Sequence, residues 1–454
     1  MWTGSQFANN EKLPYLIFNR VRYIFSESGL KCRGMKLLAP DMVFERKSFC
    51  NNQYIEHIEV SSLCNIGGSA FENSTLREII FAPPEPNTRM WIGTESFKNC
   101  KQLEHIDLPK PDLGIELGYN TFEGSGLKEI TLPPCIKNIY CNDFKDCTAL
   151  EKAVINGAPK IEEYVFEGCT ALKDITFGGH PDLDTHSISG CAVENVNFDI
   201  TQNINGRAFD GCKKLMNFNG KPVLNEDGSI KPEFEEYIRK NFNNTQDIGF
   251  INKYIGYRVK KAVGECVTEG MTDMEKLKAV HDKLCSMTTY DPRTFDMKNH
   301  VDVSVFLNDS SVCEGYAKAM NLMLHEAGIE SCYVHTDTHA WVIVNIGGHY
   351  FHVDTTWDDG DKVKYDWFMK ADSEIKDDPS HKGWVLECPS QLHAFQCEEL
   401  PECKERMGDV NADGVVDGKD ASAILSGYAK ASAGKEMTVD GIIGDYRQHR
   451  TKPA

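Results

Sequence analysis

Cys313 is the residue in this sequence that is best placed to act as a nucleophile. It lies in DSSVCEGYAKAM (309–320), where Ser311 and Glu314 have the spacing of a capping box at a helix start. The pattern predicts a helix that runs to Ala327 and stops at Gly328, with Cys313 as its second residue. A helix N-terminus favours an anion, so this position favours a thiolate, the form of cysteine that attacks carbonyl carbons.

A candidate base, and a group that could orient it, follow this helix in the chain. The stretch HAWVIVNIGGHYFHVDTTW (339–357) contains two apolar runs joined by Gly347-Gly348, which predicts a β-hairpin. With these glycines at the centre of the turn, His339 lies opposite Thr356, and Asp354 is its diagonal neighbour on the same face. Cys313, His339 and Asp354 are therefore predicted to meet as nucleophile, general base and orienting carboxylate.

The elements VCEGYAKAMNLMLHEAGI, HAWV and FHVDTTWDD resemble the transglutaminase-like superfamily over about residues 235 to 400. The resemblance implies an α+β, papain-like fold in which a helix with the cysteine packs on an antiparallel sheet with the histidine and aspartate. It also implies thiol attack on a protein or peptide amide, a thioester intermediate, and discharge to water or to an amine. Trp341 and Trp357 are expected at the mouth of the site. Tyr290 is a further candidate for the substrate cleft, although core packing explains it equally well.

Other interpretations of the same residues remain open. Singly, Cys313, His339 and Asp354 each fit an ordinary structural role, and the domain could be an inactive scaffold in an adhesion or binding protein. A zinc site is a further alternative, but the spacing does not match paired structural ligands. The residues considered for it are Cys332, His335, His349 and His352.

The first half of the chain is a repeat array. Segments such as LEHIDLP (103–109) and LKEITLP (127–133) recur, each followed by a buried anchor, at a spacing of 21 to 26 residues. The anchors are Phe49, Phe71, Phe97, Phe122, Phe144, Phe166, Ile188 and Phe209. This period predicts a solenoid with one strand and one irregular segment per coil. The array resembles the BspA-type bacterial leucine-rich-like repeats over about residues 37 to 218, which implies a binding or adhesion role.

A cysteine follows the anchor by three residues in five coils, at Cys100, Cys147, Cys169, Cys191 and Cys212. We expect these thiols to fill the narrow interior rather than to bind metal. The exposed strand positions are mixed in charge and chemistry, which predicts a solvated face. They include Glu104, Asp107, Lys128, Thr131, Lys173 and Thr176.

The stretch GDVNADGVVDGKDASAILSGYAK (408–430) has the spacing of a calcium loop. Oxygen ligands occupy loop positions 1, 3, 5, 7, 9 and 12, and Gly414 permits the sharp turn. The ligands are Asp409, Asn411, Asp413, the carbonyl of Val415, Asp417 and Asp420.

The same stretch resembles a type I dockerin, a small helical calcium module that attaches secreted enzymes to the cohesin modules of a cellulosome scaffold. Gly418, Lys419, Ala421 and Ser422 occupy the positions that the family uses for cohesin contact. A second loop, EMTVDGIIGDYRQHRTKPA (436–454), has Arg447 at position 12, where a cation cannot bind calcium. We therefore predict one Ca²⁺, with no cofactor needed for catalysis.

Composition supports a multidomain protein and excludes some partners. With 454 residues and a net charge of −19, several globular domains are expected, and a nucleic-acid-binding surface is not. No apolar run is long enough to insert into a membrane, and no signal peptide is visible. We assign residues 1–224 to a β-rich solenoid, 225–404 to the α+β catalytic domain and 405–454 to the dockerin. The expected protein is an extracellular or cell-surface thiol enzyme associated with a cellulosome.

Overall fold

The computed structural model describes residues 15–19, 23–24, 30–39, 42–61, 63–198, 204–291, 302–386, 398–408, 416–422 and 425. The chain divides into two compact units, Met1–Tyr254 and Ile255–Ala454. Among the residues just given, no helix is both long and apolar enough to cross a membrane.

The first unit is a solenoid of short strands. In chain order these are β1 (Tyr15–Phe18), β2 (Tyr23–Ile24), β3 (Gly34–Leu37), β4 (Met42–Phe44), β5 (His57–Val60), β6 (Cys64–Ile66), β7 (Glu78–Phe81), β8 (Met90–Ile92), β9 (Ile115–Leu117), β10 (Glu129–Leu132), β11 (Asn138–Ile139), β12 (Lys152–Ile155), β13 (Lys160–Ile161), β14 (Asp174–Phe177), β15 (Asp182–Leu183), β16 (Asn195–Asn197), β17 (Asn217–Phe218) and β18 (Lys221–Pro222). A short 3-10 helix, Gly206–Phe209, lies in the last coil.

Most coils contain two strands rather than the single strand predicted. One line of parallel strands is formed by β1, β3, β5 and β7, and further along by β10, β12, β14, β16 and β17. A second line is formed by β2, β4, β6, β8 and β9, followed by β11, β13 and β15. The second strand of a coil is two or three residues long, so its alternation of buried and exposed side chains is too short to be recognised in the sequence.

The predicted anchor positions form one continuous interior stack. All seven phenylalanines and Ile188 are at most 1% exposed. Consecutive rings from Phe49 to Phe166 stack nearly parallel, and the pair Phe97 and Phe122 has a centroid distance of 5.2 Å. Each coil thus buries an apolar side chain against an equivalent one in the next coil, which stabilises the array coil by coil.

The five interior cysteines are buried as expected, and each has a hydrogen-bonding role. Their thiols donate to a backbone carbonyl of the preceding coil, as in Cys147 Sγ to Phe122 O at 3.1 Å and Cys169 Sγ to Phe144 O at 3.1 Å. Cys100, Cys191 and Cys212 make the equivalent contact. Burial raises the pKa of the Cys212 thiol to about 12, so this thiol stays protonated and able to donate.

The exposed face of the solenoid carries an ordered column of charges. In seven of eight successive coils it occupies the position before the main strand, and the coil of Glu104 has no strand there. The sign alternates through the eight coils: Arg33, Glu56, Arg77, Glu104, Lys128, Glu151, Lys173 and Glu194. Neighbouring members pair, as in Arg33 with Glu56 at 2.9 Å and Lys128 with Glu104 at 2.6 Å. Side chains at the equivalent position of neighbouring coils lie next to each other, and like charges there would repel. Because the sign alternates, neighbouring side chains attract instead. The mixed charge predicted for this face is therefore a regular pattern.

The last coil of the solenoid is covered by helices. The helices and remaining strands of the chain are α1 (Pro232–Asn241), α2 (Gly249–Cys266), α3 (Asp273–Met287), β19 (Thr289–Tyr290), α4 (Asp302–Asn308), β20 (Ser310–Ser311), α5 (Cys313–Glu326), β21 (Ser331–His335), β22 (Ala340–Ile346), β23 (His349–Val353), α6 (Thr355–Asp358) and α7 (Asp372–Ile375). Phe218 of β17 packs edge-on against Phe234 of α1 and Phe250 of α2. At the sheet edge β17 pairs with β18 in the antiparallel sense, and β18 ends in Pro222.

Residues 225–254 belong to the first compact unit. The division falls between Tyr254 and Ile255, within α2, whereas the sequence places the end of the solenoid domain at residue 224. Asn241 of α1 accepts a hydrogen bond from the Ile204 backbone at 3.0 Å, and the Gly249 amide donates to the Cys212 carbonyl at 3.1 Å. The helical segment that follows residue 224 therefore covers the last repeat and belongs to the first unit.

The second unit is built around α5 and an antiparallel sheet of β21, β22 and β23. α5 packs on β21 and β22, and α3, α4 and α6 pack on α5. α3 begins with a capping box, in which Thr272 and Glu275 exchange hydrogen bonds. On the other side of the sheet, buried Cys332, Trp341 and Ile343 pack against Ile375 and Cys403.

Candidate active site

Cys313 is the first residue of α5 and is half-buried. The capping box predicted from Ser311 does not form. Ser311 lies in β20, which pairs with β19, and its hydroxyl bonds to that of Ser304 at 2.7 Å. The carboxylate of Glu314 instead pairs with Lys318 at 2.7 Å. The actual N-cap, Val312, offers no side-chain hydrogen bond to the amide groups at this helix start.

The end of α5 follows the prediction. The helix ends at Glu326, Ala327 is the C-cap, and Gly328 has a φ of +80°, a left-handed conformation that favours glycine. The Ile329 amide donates to the Leu324 carbonyl at 2.9 Å, which is the closing bond of a Schellman motif.

The hairpin has the predicted register. Gly347 and Gly348 both have positive φ, and the pairing runs from Ile346 with His349 to Val342 with Val353. His339 immediately precedes β22 and Asp354 immediately follows β23, so both lie just beyond the paired strands. The sequence predicted Asp354 on the second strand of the hairpin. In the structure it lies one residue beyond that strand and is the N-cap of α6.

The three side chains predicted to meet are brought together. His339 Nε2 lies 2.6 Å from Asp354 Oδ2, and both residues are at least nine-tenths buried. Burial lowers the pKa of His339, but its hydrogen bond to Asp354 and its contact with Cys313 outweigh burial and raise the pKa to about 9. Because Nε2 is bound to Asp354, Nδ1 is the ring nitrogen left to face the Cys313 thiol. The protonated imidazole is thus held between a carboxylate and a sulfur.

Asp354 is held ionised by its surroundings. Its Oδ1 accepts hydrogen bonds from the backbone amides of Thr356 and Trp357, at 3.0 and 3.3 Å. Its Oδ2 accepts from His339 and also from His381, at 2.6 and 3.1 Å. Burial raises the pKa of Asp354, but the two histidines outweigh it and lower the pKa.

His381 is a residue of this site that the sequence reasoning missed. It is 1% exposed, and besides Asp354 it contacts Asp378, with Nδ1 at 2.9 Å from Asp378 Oδ1. Its ring stacks on Trp367 with a centroid distance of 4.2 Å. Asp378 accepts the Ser380 amide in a local turn, and this Asp-Pro-Ser-His turn is the one sequence signal nearby. No local pattern connects it with Asp354, because the two are joined by tertiary contact.

The three aromatic residues predicted near the site are placed differently. Trp357 is 38% exposed and its ring lies 5.5 Å from that of His339. Tyr290 is 45% exposed and close enough to Cys313 for its charge to act on the phenol: burial raises the pKa of Tyr290, and Cys313 raises it further. Trp341 does not lie at an open mouth. It is 1% exposed and stacks beneath the His339 ring at 5.6 Å.

Two groups of side chains in the described structure have the donor types of a metal site, and hydrogen bonding accounts for both. His339, Asp354 and His381 form one group, and His352, Asp372 and Cys403 the other. In the second group, the Trp341 indole, which can only donate, bonds to His352 Nδ1 at 2.9 Å. His352 Nε2 therefore carries the proton and donates to Asp372 at 2.8 Å, which leaves it no lone pair for a metal. The four residues of the zinc alternative do not form such a group.

Four of the six predicted calcium ligands, Asp409, Asn411, Asp413 and Val415, lie outside the described residues. Asp417 and Asp420 lie at the start of a helical segment, where Asp420 Oδ2 accepts the Asp417 amide at 2.7 Å. Asp420 is 2% exposed. Carboxylate oxygens are the ligands that calcium prefers, and calcium binding by these two residues stays a prediction.

Comparison with known proteins confirms two of the three modules. Residues 5–89 and 90–216 match the family model described as BspA type leucine rich repeat region, in six copies. Residues 260–355 match the model of the transglutaminase-like superfamily, and this segment includes Cys313, His339 and Asp354. The chain therefore combines a leucine-rich repeat region with a transglutaminase-like region. No dockerin family is detected.

Among solved structures, the chain is similar to a leucine-rich repeat protein from Bacteroides ovatus ATCC 8483. The sequence identity is 15%, the match covers 46% of this chain and 81% of that chain, and the TM-score is 0.18. Among curated proteins none matches this chain significantly.

Proposed function

We propose that this protein is a thiol enzyme that acts on amide bonds of proteins or peptides, with Cys313 as nucleophile, His339 as general base and acid, and Asp354 as the orienting carboxylate. The observation that carries the proposal is the 2.6 Å contact between His339 and buried Asp354, with His339 close enough to Cys313 for the sulfur to raise the His339 pKa. A helix start for the thiol, an imidazole and an orienting carboxylate are the parts that activate a cysteine for acyl transfer.

In the proposed reaction, His339 already holds the proton that the Cys313 thiol has released, and the thiolate Sγ bonds to the carbonyl carbon of the substrate. The carbon–nitrogen bond then breaks, and His339 gives the proton to the departing amine, which leaves a thioester on Sγ. Water or a second amine attacks the thioester with His339 again as base, and the thiol is regenerated. The Cys313 amide at the start of α5 is our candidate donor to the developing oxyanion.

The other modules would bring the enzyme to its substrate. BspA-type repeats are typical of surface or secreted bacterial proteins, and repeats of this kind support a role in protein binding. The charged face of the solenoid also carries a groove of about 520 Å³. We further propose that the C-terminal segment is a dockerin that binds one Ca²⁺ and docks on a cohesin of a cellulosome scaffold, with Asp417 and Asp420 among the calcium ligands.

Alkylation of the full chain by iodoacetamide tests the catalytic proposal. Site-resolved mass spectrometry would compare Cys313 with Cys266, a thiol of similar partial burial. We expect Cys313 to react at least about tenfold faster at neutral pH, since a stabilised thiolate is the reactive form. His339→Ala should abolish the difference, and His349→Ala, a more exposed histidine of the same hairpin, should not. Equal rates at the two cysteines of the native chain would instead indicate a binding protein with an inactive scaffold.

A further inference from the structure

His381 is buried and lies between two carboxylates. Its Nε2 is 3.1 Å from Asp354 Oδ2 and its Nδ1 is 2.9 Å from Asp378 Oδ1. An ionised carboxylate only accepts hydrogen bonds, so both nitrogens must donate, and an imidazole with two N–H groups carries a positive charge. Burial raises the pKa of Asp378, but the hydrogen bond from His381 outweighs it and lowers the pKa. Asp354 behaves in the same way, so both carboxylates act as acceptors for the two ring nitrogens of His381.

The oxygen that His381 contacts is the one that His339 uses. Asp354 Oδ2 accepts from both imidazoles, and Oδ1 is already occupied by the amides of Thr356 and Trp357. Asp354 therefore has no second oxygen to offer. The two imidazole rings lie 5.0 Å apart at an angle of 78°. A positive charge on His381 both competes for the shared oxygen and opposes a second positive charge on His339.

Packing prevents His381 from leaving this position. Its ring stacks on Trp367 and contacts the rings of Trp341 and Trp357, with centroid distances of 4.6 and 4.9 Å. The titratable groups that face it are Asp354 at the start of α6, Asp378 of its own turn, His339 before β22 and His352 of β23.

We propose that His381 is a positioning residue that keeps a positive charge on the shared oxygen of Asp354 and thereby limits how strongly Asp354 favours the protonated form of His339. The inference rests on the proposed thiol mechanism. His339 must accept the thiol proton and then release it to the departing amine, and an imidazolium that is too stable would retain this proton. His381 moderates the carboxylate so that the base can complete both transfers.

An NMR titration of the full chain tests this directly. The His339 ring signal, assigned by its loss in His339→Gln, would be followed with pH in the native chain and in two variants. His381→Gln removes the charge, and Asp378→Asn removes the second carboxylate while the ring and its packing remain. We expect the His339 midpoint to rise by about one pH unit in both variants. Asp377→Asn, a neighbouring exposed carboxylate, should leave the midpoint unchanged.

The outcomes separate the two proposals. If the His339 midpoint stays constant or falls in both variants, the role of His381 is contradicted, even where Cys313 alkylation still depends on His339. If Cys313 is alkylated no faster than Cys266, the catalytic proposal fails whatever the titration shows. Should His381→Gln not fold, Asp378→Asn decides alone, because it leaves the buried aromatic cluster intact.

Discussion

Asp354 accepts four hydrogen bonds on two oxygens, from His339, His381 and the amides of Thr356 and Trp357. The two amide bonds arise because Asp354 is the N-cap of α6, and they fix the orientation of the carboxylate. The same side chain therefore starts a helix and orients the proposed base. Replacing it would disturb both, so an effect of Asp354→Asn on activity alone is not diagnostic.

The imidazole of His339 makes the stability of the second unit dependent on pH. Its pKa is raised to about 9, above the ordinary 6.5, so the folded state binds this proton more tightly than the unfolded state. The resulting stabilisation is complete below pH 6.5 and is lost as the pH rises towards 9. We expect the free energy of unfolding of the native chain to fall by about 2 to 3 kcal/mol over this window. A His339→Gln variant should not show this decrease.

Urea unfolding at pH 6 and pH 9, followed by tryptophan fluorescence, measures this difference. Four of the six tryptophans, Trp341, Trp357, Trp367 and Trp384, belong to the second unit. His105→Gln serves as the control, because His105 is an exposed histidine of the solenoid. An equal pH dependence in the native chain and in His339→Gln would contradict the raised pKa.

At the level of the elements, the sequence predicted what depends on local pattern. The repeat spacing identified the interior stack, and the two glycines fixed the register that places His339 near Asp354. The Thr/Ser-x-x-Glu pattern forms a capping box at Thr272 but not at Ser311, where the sequence predicted one. Thr272 caps α3, whereas Ser311 lies in β20 and pairs with Tyr290 of β19, 21 residues earlier in the chain. His381 was missed for the same reason, since its partners are distant in sequence.

The alternating charge column predicts a measurable effect on the solenoid. Lys128→Glu would place a third carboxylate between Glu104 and Glu151, so the attractive pair with Glu104 becomes repulsive. We expect a loss of about 1 kcal/mol in the free energy of unfolding at low salt. High salt should remove most of the loss because these charges are exposed.

Thermal or urea unfolding of the variant in low and high salt measures the effect. Lys110→Glu makes the same change of charge at an exposed position outside the column and should cost less. If the two variants lose equal stability at low salt, the column has no special role, and the general negative charge of the protein accounts for the loss.

For the whole molecule, part of the division into modules could be predicted from the sequence. Family matches support the repeat region and the transglutaminase-like region, which have long and regular patterns. The helical cap formed by residues 225–254 could not be assigned to the repeats, because it lacks their period and joins them through packing of Phe218, Phe234 and Phe250. The prediction of a dockerin depends on a single short loop, residues 409–420.

Calcium binding tests the third module. Calorimetric titration of the full chain should give one Ca²⁺ per chain, since the second loop has Arg447 where a ligand is needed. Asp420→Asn should weaken this binding strongly, and Asp440→Asn in the second loop should leave it unchanged. A stoichiometry of two, or the absence of binding by the native chain, would contradict the prediction.

The final strand pair of the solenoid has a consequence for self-association. Stacked parallel strands offer their unpaired backbone groups to any similar strand, which is how many β-rich proteins polymerise. Here the outermost strand runs in the opposite direction and contains Pro222, which has no backbone N–H to donate. Together with the aromatic helices above it, this arrangement closes that end of the array to the addition of strands from another molecule.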